Sequence, residues 1–146
     1  DSFDWLAGEF AREILRQAIE EKRVKLINHE GYWGSTDIMG HKIVFEHGAS
    51  YRGSSFGGIP YYSIEKIASR MRDFEGDFSA LILGHYHTPY ALPLGYKSTV
   101  IGNGSFPATT PFVATTLRRV IRPSQKLFSI HKDIGITMIK DLFLDI

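Results

Sequence analysis

The chain has 146 residues, enough for one domain that buries roughly two-thirds of the surface exposed by the unfolded chain. Its 17 Lys and Arg residues stand against 16 Asp and Glu, which excludes a global field that attracts nucleic acid or an anionic membrane. The chain has no cysteine and no apolar run near the roughly 20 residues of a membrane span, so we expect a cytoplasmic protein without disulfides, thiolate metal sites or a membrane partner.

The first predicted element is an amphipathic helix at about residues 5 to 22. Its apolar positions recur at helical spacing, at Leu6, Phe10, Ile14 and Ala18. Asp4 precedes them and is the expected N-cap, since its carboxylate can accept from the first free N–H groups of the helix.

Three strands are predicted next. Residues 24–27 alternate between apolar and polar side chains, residues 32–39 follow as a second segment, and a turn at Gly40-His41 leads into a third strand at residues 42–45. This third strand ends in Glu46-His47-Gly48, which places a histidine at a strand terminus.

A long polar loop, residues 49–60, separates these strands from a second predicted helix. The loop contains Arg52, whose planar guanidinium could bind a phosphate group in a bidentate manner. Ser63 is the expected N-cap of the helix, with Tyr62 packed on Ile67 as a hydrophobic staple. The expected buried face comprises Ile64, Ile67, Ala68 and Met71.

An apolar run at residues 78–83 predicts a buried strand, and Gly84-His85-Tyr86-His87 follows it directly. Side chains gather at the carboxyl ends of strands in open α/β sheets, because the chain leaves the sheet there. Two histidines on one turn can face the same side, and neutral imidazole suits Zn, Mn, Fe, Ni or Cu. His85 and His87 are therefore candidate metal ligands, whereas His41 and His131 are expected to have structural or solvent-exposed roles.

After Pro89 the sequence predicts a β-rich carboxyl-terminal part, in one sheet or two. The expected strands are at residues 90–92, 98–101, 113–120, 126–131 and 134–144, the last broken near Asp141.

The pattern of a strand ending in His47-Gly48, followed about forty residues later by Gly84-His85-Tyr86-His87, resembles the last two motifs of the calcineurin-like metallophosphoesterase superfamily. Further short motifs resemble phage-type and prophage-type members, namely Asp4-Trp5-Leu6, Thr88-Pro89, Asn103-Gly104-Ser105 and Pro123-Ser124-Gln125. The resemblance covers nearly the whole chain but only the carboxyl-terminal half of the family's domain. The sequence does not begin with methionine, so we expect a fragment or a processed product.

The resemblance implies part of a layered α/β/β/α sandwich with a mixed sheet, and hydrolysis of phosphomonoesters or phosphodiesters by two divalent metal ions (Mn, Fe, Zn or Ni) in the intact protein. His47 and His85 would bind one ion and His87 the other. The same resemblance places the turn at Asn103-Gly104-Ser105 near the site, where Asn103 or Ser105 would contact substrate. Arg52 is a second candidate substrate residue, because of its guanidinium group. Nucleic acid is a candidate substrate for a phage-type member.

The chain departs from the family pattern in its amino-terminal motifs. It contains neither Asp-x-His nor Gly-Asp-x-x-Asp, and Asn28-His29-Glu30 lacks the glycine that precedes the family's Asn-His-Asp/Glu motif. A complete dinuclear centre cannot be assembled from the remaining residues. Two alternatives therefore stay open: a non-catalytic scaffold or interaction module, and half of a split enzyme completed by an amino-terminal half on another chain or by a second copy.

Overall fold

The computed structural model describes residues 2–29, 31–51, 53, 55–56, 58–111, 113–118 and 120–144, with side chains for all of these but 2–5, 116 and 117. Contacts divide the chain into two units, Asp1–Tyr32 and Trp33–Ile146. Within the described residues, no helix has the length and apolar character needed to cross a membrane. The expectation that residues 1–146 are the carboxyl-terminal portion of one metallophosphoesterase domain stays a prediction.

The smaller unit is helical. Helix α1 (Ser2–Ile14) and the short helix α2 (Arg16–Glu20) are separated at Leu15, so the single helix predicted for residues 5 to 22 is interrupted. Helix α1 begins before Asp4, which therefore lies inside the first turn, and the predicted N-cap is wrong.

The strand predicted at residues 24–27 is also wrong, since the described part of the smaller unit contains no strand. These residues alternate in polarity, but none of the described strands pairs with them. Asn28 instead lies against Gly8 of helix α1, where a Cβ added to the glycine would come within 2.6 Å of the amide Nδ2.

The larger unit is built on a mixed five-stranded sheet in the order β1-β2-β3-β5-β4. Its strands are β1 (Trp33–Ile38), β2 (His41–Glu46), β3 (Ala80–Leu83), β4 (Tyr90–Leu94) and β5 (Ser98–Gly102). Strands β2, β3 and β5 are parallel, while β1 and β4 are antiparallel to their neighbours at the two edges. Four of these strands confirm predicted segments within one or two residues, and β3 is two residues shorter at its start.

Helix α3 (Tyr61–Glu75) covers one face of this sheet. Ile64, Ala68 and Met71 are buried against Val44, Leu81 and other core residues, which confirms the predicted apolar face. The predicted helix start is wrong, because the helix begins at Tyr61 and Ser63 lies inside its first turn. Tyr62 is exposed, so it forms no hydrophobic staple.

A two-stranded antiparallel sheet covers the other face. It consists of β6 (Ser124–His131) and β7 (Gly135–Phe143). Phe128, Ile130, Ile136 and Ile139 pack against Ile43, Ala80 and Ile101 of the central sheet. Successive residues of β3 face opposite layers, as the two-residue repeat of a strand requires. The strands after residue 89 therefore belong to two sheets, and the predicted α/β fold with a mixed sheet and a β-rich carboxyl-terminal part is confirmed.

Two details of the carboxyl-terminal prediction are wrong. Strand β7 runs unbroken through Asp141, which pairs with Lys126 in the ladder and forms an ion pair with it. Residues Val113–Leu117 form a π-helical segment in place of the expected strand. Hydroxyl groups of neighbouring threonines favour this local structure, since Thr115 donates to the carbonyl of Pro111 and Thr110 accepts from the N–H of Val113.

Candidate metal site

The candidate site lies where the three parallel strands end. Glu46 of β2 is in register with Leu83 of β3, and Leu83 is in register with Gly102 of β5. Backbone hydrogen bonds continue just past the strands, from the N–H of Gly84 to the carbonyl of Glu46 (3.3 Å) and from the N–H of Asn103 to the carbonyl of Leu83 (2.7 Å). The residues that follow these strands therefore emerge at one edge of the sheet.

His47 and His85 meet at this edge. Their facing nitrogens, Nε2 of His47 and Nδ1 of His85, are 3.1 Å apart, and the ring centroids are 5.0 Å apart with the planes at 77°. A hydrogen bond at this distance requires a proton on one nitrogen and a lone pair on the other. Two imidazole ligands of one ion, each about 2.1 Å from it, would have their nitrogens roughly 3.0 to 3.4 Å apart, so the pair also fits a shared metal ion.

The turn after β3 holds both of its histidines in an unusual backbone conformation. His85 has φ 65° and His87 has φ 57°, the left-handed region that costs a non-glycine residue roughly 1 to 2 kcal/mol. Such conformations persist when the surrounding structure enforces them, and they are common at functional sites. His87 is exposed at the same edge, and its role as a ligand of a second ion stays a prediction.

Two tyrosines brace the site, and neither was predicted from the sequence. The hydroxyl of Tyr86 is 2.9 Å from the carbonyl oxygen of Tyr51 and 3.3 Å from that of Gly48, while the hydroxyl of Tyr51 donates to Oε2 of Glu46 at 2.6 Å. Burial raises the pKa of both phenols, so both remain protonated donors at neutral pH. The sequence signal was an aromatic residue in each histidine segment, Tyr51 in the loop after His47 and Tyr86 within the turn itself.

Asn103 lies at the same edge, and its side-chain amide forms hydrogen bonds with other residues of the protein. Its Nδ2 donates to Oε1 of Gln125 at 2.8 Å, and its Oδ1 accepts from the N–H of Lys126 at 2.8 Å. The amide thereby joins the end of β5 to β6. Contact of Asn103 with substrate stays a prediction, and Arg52, the other predicted substrate residue, lies outside the described residues.

Two other histidines have the structural surroundings expected of them. His41 lies at the start of β2 with Nδ1 3.1 Å from the Ser79 hydroxyl and Nε2 3.0 Å from the carbonyl oxygen of Lys132. His131 accepts from the N–H of Asp133 at 3.2 Å. His29 belongs to the smaller unit, and its neighbour Glu30 lies outside the described residues.

The structural comparisons show the fold. Vps29 from Entamoeba histolytica in complex with Zn²⁺ has a TM-score of 0.51 and 19% identity, over 82% of this chain and 66% of that one. A single mutant of the same Vps29 has a TM-score of 0.51 and 18% identity, over 84% of this chain and 67% of that one. A predicted phosphoesterase from Streptococcus pneumoniae has a TM-score of 0.43 and 17% identity, over 83% of this chain and 68% of that one. No protein-family model and no curated protein matches the chain.

The mixed five-stranded sheet with its helix thus matches the metallophosphoesterase-like fold of Vps29, and the chain spans about two thirds of the length of those structures. One of them, Vps29 from Entamoeba histolytica, is in complex with Zn²⁺. In the described part of this chain, no three His, Asp or Glu side chains converge as a metal-binding group. The described residues therefore present a pair of adjacent imidazoles, and their role as metal ligands stays a prediction.

Proposed function

We propose that this chain is the carboxyl-terminal portion of a metal-dependent phosphoester hydrolase of phage type. The observation that carries the proposal is the pair of imidazole nitrogens of His47 and His85, 3.1 Å apart at the carboxyl edge of the parallel strands. This spacing fits two ligands of one divalent ion, and the fold is one in which a solved structure contains zinc.

The chemistry follows from the types of residue at this edge. A bound divalent ion, Mn, Fe, Zn or Ni, supplies Lewis acidity toward a phosphoryl oxygen. His47 and His85 bind that ion as neutral imidazoles, and His87 is assigned to a second ion. Arg52 and Asn103 are assigned to the substrate, a phosphoester whose candidates include nucleic acid.

The remaining ligands are assigned to a separate segment. Two histidines leave a tetrahedral or octahedral ion with at least two open positions, and the described residues contribute no third His, Asp or Glu to the group. An amino-terminal half, in the same protein or on another chain, or a second copy of this chain would supply them.

A second candidate is a non-catalytic scaffold that retains the fold and the histidine pair. The incomplete ligand set in the described residues favours it. The two candidates differ in hydrolysis and agree on metal binding at His47 and His85, so they require separate measurements.

Metal binding is measured by calorimetric titration of the 146-residue chain with Mn²⁺. We expect specific binding that His47→Ala and His85→Ala each weaken at least tenfold, because each removes one of the two ligands. His131→Ala is the matched control, since it deletes another exposed imidazole, at the end of β6, and leaves the affinity unchanged. Equal binding by all variants would contradict the proposal.

Hydrolysis is measured on the full gene product with Mn²⁺ and bis(p-nitrophenyl) phosphate. The hydrolase assignment predicts turnover that His85→Ala reduces at least a hundredfold, because loss of a ligand removes charge stabilisation in the transition state. Metal binding at His47 and His85 without turnover would favour the scaffold.

A further inference from the structure

We propose that Tyr86 is a positioning residue whose hydroxyl sets the spacing of His47 and His85. The inference rests on the proposed metal-binding function of that pair. Tyr86 stands between the two histidines of the turn after β3, and its side chain is buried at 9% exposure while both histidines are exposed. The hydroxyl reaches back to the loop that follows β2, which carries His47.

The hydroxyl of Tyr86 contacts both ends of a short turn. The carbonyl oxygen of Tyr51 is 2.9 Å away and that of Gly48 is 3.3 Å away, and the N–H of Tyr51 donates to the Gly48 carbonyl at 3.2 Å. One hydroxyl proton serves two acceptors, and the shorter distance makes Tyr51 the principal one. The contact therefore fixes the turn at residues 48–51, which directly follows His47.

The Tyr86 hydroxyl adds to a backbone hydrogen bond between the two histidine segments. The backbone link between them, from the N–H of Gly84 to the carbonyl of Glu46, is long at 3.3 Å. The Tyr86 ring lies edge-on to the rings of His85 and Tyr90, with centroids 5.3 and 6.3 Å apart, which fixes the phenol from the side of β3 and β4. The hydroxyl then joins this rigid ring to the segment that carries His47.

The Tyr86 hydroxyl therefore preorganises the spacing of His47 and His85 for an incoming ion. Metal ligands bind tightly when their spacing is set before the ion arrives, because the binding step then orders fewer groups. Without the hydroxyl, the turn at residues 48–51 loses its link to Tyr86, and the facing nitrogens of His47 and His85 sample longer separations. The ring itself, and with it the packing of the core, is unchanged by this loss.

The test compares Tyr86→Phe with a control that loses a similar hydrogen bond elsewhere. Ser98 is buried at 7% exposure, at the opposite end of β5 from the site. Its hydroxyl donates to the carbonyl of Phe78 at 2.6 Å and accepts from the Arg72 guanidinium at 3.0 Å. Ser98→Ala therefore removes a buried hydroxyl without touching the histidines. We expect Tyr86→Phe to weaken Mn²⁺ binding about fivefold or more and Ser98→Ala to leave it unchanged, at comparable losses of thermal stability.

A second measurement needs no metal. The ring ¹⁵N shifts of His47 and His85 in the metal-free chain report the hydrogen bond between them, and we expect Tyr86→Phe to change them while Ser98→Ala does not. Unchanged affinity and unchanged shifts in Tyr86→Phe would overturn the positioning role while leaving the proposed function intact. Failure of the wild-type chain to bind Mn²⁺ would count against the proposed function instead, and the ring shifts would then decide the positioning role alone.

Discussion

At the scale of single residues, the glycine that directly follows His47 has a positive φ. Gly48 has φ +90°, and a Cβ added there would lie 3.7 Å from the side chain of Leu83, an ordinary contact. Space is therefore available for the methyl group of alanine. The obstacle to any residue other than glycine is the positive φ of the backbone.

We expect Gly48→Ala to lower the free energy of unfolding by about 1 to 2 kcal/mol, because alanine is strained at this φ. Urea unfolding of the variant beside the wild type measures this. Gly84→Ala is the matched control: Gly84 lacks a positive φ, and a Cβ there would meet only ordinary contacts with His47, at 3.5 and 3.6 Å. An unchanged free energy of unfolding in Gly48→Ala, or an equal decrease in both variants, would contradict this expectation.

At the scale of elements, one of the cross-strand pairs between β4 and β5 sets a tyrosine ring against a glycine. Tyr90 is directly opposite Gly102, and a Cβ on that glycine would come within 2.0 to 2.4 Å of three atoms of the tyrosine ring. The ring occupies the space that any side chain at Gly102 would need. Position 102 therefore requires glycine because the Tyr90 ring leaves no room for a side chain, and not because of the backbone dihedral angles of Gly102.

We expect Gly102→Ala to destabilise the chain by about 1 to 3 kcal/mol, since the ring must be displaced from a packed position. The cost should fall substantially in a Tyr90→Leu background, which removes the ring. A double-mutant cycle in urea measures the coupling between the two positions. Additive effects of the two substitutions would show that the ring is not the obstacle.

Helices and strands marked by apolar spacing within their own segment were predictable from the sequence. Elements that depend on contacts with distant segments were harder to predict. The apolar face of helix α3 follows from the helical spacing of Ile64, Ala68 and Met71, and the strands before His47 and His85 follow from their apolar runs. The alternation at residues 24–27 predicts a strand equally well, but a strand exists only with a partner, and the sequence does not show that Asn28 packs on Gly8 instead.

The candidate site also has features that were predictable from the sequence and features that were not. Its position at the end of the strands was predictable, because histidines directly follow two apolar runs. The bracing by Tyr51 and Tyr86 was not, because it depends on how two loops of separate strands meet. The bonding of Asn103 to Gln125 and Lys126 depends likewise on the placement of β6 beside the end of β5.

At the scale of the whole molecule, one carboxylate connects three elements of the larger unit. Glu75, at the end of helix α3, accepts a hydrogen bond from Nε1 of Trp33 in β1 at 2.8 Å and lies 3.5 Å from Nζ of Lys42 in β2. The Trp33 hydrogen bond is the main cause of a lowered Glu75 pKa in the folded protein, with the Lys42 charge adding to it. Folding therefore favours the ionised form of this side chain.

This lowered pKa predicts a loss of stability in acid. The stabilisation is fully present above the unfolded pKa of about 4.5 and is lost as the pH falls through the lower folded pKa. We expect Glu75→Gln to be destabilising at pH 7 and to differ less from the wild type below pH about 4. Urea unfolding between those pH values measures the difference, and a constant difference would contradict the assignment. Glu65→Gln, an exposed carboxylate on the same helix, is the control.

The parallel pairing of β2 and β3 also has a kinetic consequence. His47 and His85 are far apart along the chain, and helix α3 lies in the segment between them, so they approach only after that segment closes and the two strands pair. Closure of such a long loop is a slow, late step compared with formation of a local helix. Under the proposed metal binding at His47 and His85, a divalent ion added during refolding would bind only to molecules that have completed this step, and the rate of its uptake would report the rate at which the sheet assembles.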